Sequence, residues 1–171
     1  MKRESKRLWK NIIALAVLAG VVATVQVELL GRLGWIVVPD LAFAMLMCVA
    51  FYSGRETGAV LGIGTGVLVE ALERTEGLHV LPLVYLACGY LCGQAARGRF
   101  TERSFVNYLC VVGVAMPVHV GVTLARLSAR YGNIPSEHLV TRVLLPGAGA
   151  LAAAMIVLYF PLKQLCRWLK A

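Results

Sequence analysis

The chain has 171 residues, 59% of them hydrophobic and 15% charged, with a mean hydropathy of +0.75. A globular domain is about 45–50% apolar and about 25% charged, and at this size roughly 30% of the surface its unfolded chain exposes stays wet. These figures exclude a soluble domain, a collagen-like or disordered chain and a disulfide scaffold, and leave a small integral membrane protein with no residues to spare for a separate soluble domain.

A membrane-crossing helix needs about 17–25 mostly apolar residues. Such runs lie at 12–30, 35–52, 57–72, 78–95, 104–125 and 140–162. They predict an all-α integral membrane protein, a single domain over 1–171 made of a six-transmembrane-helix bundle. The run at 57–72 is the shortest, so its ends extend into flanking polar residues. Turn chemistry separates the runs, as at Gly31-Arg32-Leu33-Gly34, Ser53-Gly54-Arg55-Glu56 and Tyr131-Gly132-Asn133-Ile134-Pro135. None of the runs alternates apolar with polar residues, which excludes transmembrane strands. The basic amino terminus resembles the start of a signal peptide. The apolar run behind it is too long, and five more follow, so the first helix reads as a retained anchor.

Lysine and arginine set the orientation. With both termini inside, the cytoplasmic set is Lys2, Arg3, Lys6, Arg7, Lys10, Arg55, Arg97, Arg99, Arg103, Lys163, Arg167 and Lys170. The outer set is Arg32, Arg74, Arg126, Arg130 and Arg142, which completes the 17 basic residues. The net charge of +8 is then an inner rim that also attracts anionic lipid. No nucleic-acid reader motif accompanies it, so no nucleic acid is expected as a partner.

The third run carries Gly58, Gly62, Gly66 and Glu70 at steps of four, one slowly drifting stripe on a helix. Shorter small-residue pairs recur at Ala16/Gly20, Ala19/Ala23, Gly89/Gly93 and Gly149/Ala153. Glycine stripes admit a second helix backbone, and they serve equally for packing within the bundle and for a partner interface. The string Gly62-Ile63-Gly64-Thr65-Gly66 has the look of a dinucleotide loop, but it follows no strand and lies inside an apolar helix.

Ionisable groups near the bilayer cost about 2.5–3.5 kcal/mol each at a helix centre. Glu28, Asp40, Glu70, Glu73, Arg126 and Arg142 all fall in the outer half. Asp40 reads either as a helix-start device behind Pro39 or as part of an outer polar pocket. Glu70 sits at the negative end of its helix and needs a partner, water or a proton. Asp40, Glu70 and Arg142 are expected to form an outer-half polar cluster, with Glu70 and Arg142 as its pair. The cysteines read as small apolar residues, and His79, His119 and His138 show no metal-ligand spacing. No catalytic motif stands out, so neither an enzyme nor a cofactor or metal is expected.

Three stretches stand in order in the middle of the chain. They are Val38-Pro39-Asp40-Leu41, the Gly58-to-Glu70 stripe, and Gly77-Leu78-His79-Val80-Leu81 leading to Tyr85, Gly89 and Tyr90. Over roughly residues 38–93 this resembles the rod shape-determining protein MreD family. Two positions depart from its pattern: Glu70 stands where the family usually has Asp, and Pro82 interrupts the start of the fourth helix. The resemblance implies a non-catalytic scaffold of the bacterial cell-elongation complex, multi-pass in the cytoplasmic (inner) membrane. It would bind an MreC-like bitopic protein and, directly or through the complex, an MreB-like filament and the wall synthases, RodA and its transpeptidase. The implied fold is similar to that of the substrate-binding S component of energy-coupling-factor transporters, which supplies an alternative function: a vitamin-binding subunit with the outer polar residues lining its pocket.

Overall fold

The computed structural model describes residues 2–30, 40–73, 79–98, 104–131 and 145–170, and among these it is all-helical, with no strand. Pro39, Gly77, Leu78 and Arg142 lie outside the described residues. Six helices follow one another: α1 (Lys2–Thr24, continued by a π-helical turn Val25–Leu30), α2 (Leu41–Ser53), α3 (Arg55–Glu73), α4 (Leu81–Gly98), α5 (Phe105–Tyr131) and α6 (Leu145–Lys170). Within α5 and α6, the segments Phe105–Arg126 and Pro146–Cys166 are long and apolar enough to cross a membrane.

The helices run past several of the apolar runs that announce them. α1 begins before residue 12, α5 continues beyond 125 and α6 beyond 162. An apolar run marks where a helix lacks charge, whereas i to i−4 hydrogen bonding continues through any residue that keeps helical dihedrals. Between α2 and α3 the break shrinks to Gly54 alone. Its φ of 100° is open to glycine, and its N–H closes α2 on the Ala50 carbonyl. Pro82 is the second residue of α4, where its missing N–H costs the helix nothing, so it starts the helix rather than interrupting it.

α2 is the axis of the molecule. Every residue from Ala42 to Tyr52 is buried, because the helix is apolar on all sides and α1, α3, α4 and α6 pack around it. Its 13 residues make a rod about 20 Å long. The most extensive helix contact joins α3 to α4. There the glycine stripe is filled from within the molecule: Gly58 lies on the Gly89 backbone, Gly62 on Tyr85 and Gly66 on Leu81-Pro82. A Cβ at any of the three would fall on backbone atoms, so only glycine permits this approach. Gly93 packs in the same way on Gly54-Arg55.

Near the carboxyl end of α2, aromatic rings pack Phe51 and Tyr52 against Phe105, Tyr108 and Tyr159. The Tyr52 hydroxyl donates to the Tyr159 hydroxyl oxygen at 2.7 Å, while the buried Tyr108 hydroxyl has no hydrogen-bond partner among the described residues. None of the five cysteines is in a disulfide; Cys48, Cys88, Cys92 and Cys166 are buried.

Candidate functional site

The polar residues gather at the opposite end, around the first turn of α2. A helix leaves its first N–H groups unpaired, and two side chains take them up here. Asp40 Oδ1 accepts from the Phe43 N–H at 2.9 Å, a standard cap. Gln26 Oε1 accepts from the Ala42 N–H at 3.0 Å. Gln26 reaches it from the π-helical turn, where it continues the buried stripe of Leu15, Ala19 and Ala23.

The second oxygen of Asp40 ties three helices together. Oδ2 accepts a short hydrogen bond from the Tyr85 hydroxyl of α4 and lies 3.3 Å from His119 Nε2 of α5. The His119 ring stacks on Phe43 with centroids 4.2 Å apart, and Phe43 also touches the Tyr85 ring. Asp40 is therefore both a helix-start device and a member of a polar cluster, and the two readings open at sequence level are one arrangement.

Both glutamates of α3 that are expected in the outer half form ion pairs among the described residues. Glu70 is buried at 9% exposure and its Oε1 meets His79 Nδ1 at 3.4 Å, while His79 is 72% exposed. The carboxylate–arginine pair among the described residues is Glu73 Oε2 with Arg126 Nη2 at 3.1 Å. Arg142, the partner expected for Glu70, lies outside the described residues.

Between these groups lies a cavity of about 370 Å³, lined by Gln26, Val27, Asp40, Leu72, Glu73, Leu81, His119, Thr123 and Arg126. Of the cluster expected at sequence level, Asp40 lines it and Glu70 does not. Gln26, His119 and Thr123 are the residues sequence reasoning missed. His119, Thr123 and Arg126 sit at i, i+4 and i+7, which is one face of a helix, and that polar stripe in an otherwise apolar run was the available signal. Among the described residues no group of His, Cys, Asp or Glu is placed to hold a metal ion.

Comparison with protein-family models, curated proteins and solved structures gave no match. The function is therefore argued from the molecule itself.

Proposed function

We propose that the chain crosses the bacterial cytoplasmic membrane six times with both termini inside, and acts as a non-catalytic scaffold of the MreD type in the cell-elongation complex. An MreC-like bitopic protein is the direct partner; the MreB-like filament, RodA and its transpeptidase connect through the complex. One observation carries this reading. Residues of the three MreD-like stretches meet in space: Asp40 bonds to Tyr85, Gly58, Gly62 and Gly66 lie on α4 between Leu81 and Gly89, and Glu70 contacts His79. A pattern that braces three helices against one another suits a protein that works through its shape.

Membrane placement is supported by what the bundle leaves outside. Val17, Val60, Leu83, Val114 and Val157 are all more than half exposed, on five different helices. Exposed apolar side chains on five helices suit a surface that faces lipid better than one that faces water. Only 17% of the apolar window in α5 is buried, which separates it from the core helix of a soluble protein. The excess of basic residues on the proposed inner side supports the orientation.

The test is site-specific photocrosslinking in cells that also express the candidate MreC-like partner. Probes go at Val60 on α3, Leu83 on α4, Val114 on α5 and Val157 on α6, all facing outward. The scaffold reading expects one of these faces to capture the partner, and depletion of the protein to round the cells. No capture from any face, together with unchanged cell shape, sinks it.

The cavity favours a second reading, the S component of an energy-coupling-factor transporter, since its polar and apolar walls suit a small ligand. Copurification with an energy-coupling subunit, in place of an MreC-like protein, would select it.

A further inference from the structure

The scaffold reading does not say what the cavity holds. We propose that it binds a small organic cation: an ammonium group on a short apolar body. The proposal rests on the cavity walls and stands under either role of the protein.

Charge points to a cation. Among the described lining residues, two carboxylates, Asp40 and Glu73, share the wall with one guanidinium, Arg126, and with the His119 imidazole that meets Asp40. A partly buried carboxylate with one of its oxygens left unpaired is costly, and an ammonium beside Glu73 would pair it. Hydrogen bonding agrees. Glu73 accepts from Arg126 at Oε2, and its other carboxylate oxygen has no hydrogen-bond donor among the described residues. Thr123 donates its hydroxyl hydrogen to the His119 carbonyl and keeps its oxygen lone pairs for a donor.

Size and wall chemistry exclude a bare ion. At a share of about 30 Å³ per water-sized group, the 370 Å³ volume holds roughly a dozen non-hydrogen atoms. Val27, Leu72 and Leu81 give an alkyl body an apolar wall. A free amine and the headgroup of phosphatidylethanolamine share this chemistry.

The experiment uses the full-length protein in nanodiscs of phosphatidylcholine alone. Thermal unfolding is followed while n-butylammonium or n-butyrate is added at constant ionic strength. Butylammonium is expected to raise Tm saturably by about 3 °C or more, and butyrate to leave it unchanged. Glu73→Gln weakens the amine effect by about tenfold, since a charge-assisted hydrogen bond is lost. Arg126→Gln removes a competing cation and strengthens the effect by about threefold or more. Each variant is compared with its own ligand-free Tm, and the opposite signs separate a binding role from a loss of structure. Phosphatidylethanolamine added to the discs suppresses the amine shift if the headgroup is the occupant, and leaves it intact if a free amine is. Equal shifts with both probes, no shift with either, or unchanged amine binding in both variants would overturn the proposal.

Discussion

In α3, glycines at 58, 62 and 66 lie directly on the backbone of α4. In α5, Gly113 and Gly121, with Pro117 midway between them, have nothing within 4 Å of where a Cβ would stand. The spacing is the same and the use is opposite. A glycine stripe states only that a backbone can come close; whether one does depends on the neighbouring helix. α3 and α4 meet along their most extensive contact, whereas α5 packs mainly on α4 and leaves a broad apolar face open. The bundle thus has a braced part, α2 to α4, and a lightly held part, α5.

The largest expected effect breaks the braced part. Gly62→Leu pushes a side chain into the Tyr85 backbone, which has no rotamer with which to yield. It should cost about 4 kcal/mol or more, and the protein should fail to accumulate in membranes. Gly113→Leu, on the open face, should change unfolding by no more than about 0.5 kcal/mol. Detergent-solubilised yield and Tm measure both. Equal damage from the two substitutions would mean that the open face of α5 is also packed.

Next in size comes the joint that ties α5 to the braced part. Asp40→Ala removes a helix cap, the acceptor of the Tyr85 hydroxyl and the carboxylate beside His119, and should cost about 2–4 kcal/mol. Tyr85→Phe keeps the ring packing and should cost about 1–2 kcal/mol. If the two groups act through their shared hydrogen bond, the double variant is no worse than Asp40→Ala within about 0.5 kcal/mol. Additive losses from Tm measurements would show that the bond contributes nothing of its own.

The two regions were also unequally legible in the sequence. Composition and apolar runs announced the helices, because burial and lipid contact both require uninterrupted apolar stretches. Helix ends were not announced: the overrun of α1, α5 and α6 leaves no apolar mark. The Gly58–Gly66 stripe was visible as a stripe, but its occupant was not, since nothing local distinguishes Tyr85 and Gly89 from the side chains of another protein. Asp40 could be read as a cap from Pro39 and the apolar run behind it. Its bonds to Tyr85 and His119 come from helices far along the chain, and only the fold joins them. Gln26 continues the buried stripe of Ala19 and Ala23, but its bond to the Ala42 N–H joins two different helices, and only the fold shows it.

A smaller effect is expected where the Glu70 contact reaches the surface. His79 is mostly exposed, so His79→Ala should change stability by about 0.5 kcal/mol or less. Glu70→Gln keeps the shape of a buried side chain and should stay within about 1 kcal/mol of the parent. A larger loss on Glu70→Gln than on His79→Ala would show that the buried carboxylate is held by more than the imidazole. Thermal unfolding of the two single variants decides this.

The most discriminating comparison falls within one helix. Gly62, Gly64 and Gly66 alternate along α3, yet Gly62 and Gly66 meet α4 while Gly64 has nothing within 4 Å. Gly64→Ala adds a methyl to open space and removes backbone freedom from the unfolded chain. It should leave Tm unchanged or raise stability by up to about 1 kcal/mol. Gly62→Ala, two residues away, should lower it, since even one methyl lands on backbone. Opposite signs from adjacent members of one glycine string would establish that contact with α4, and not glycine content, is what α3 requires. The same sign from both would mean that α3 tolerates a shift away from α4, and the division into braced and lightly held parts would fail at its strongest point.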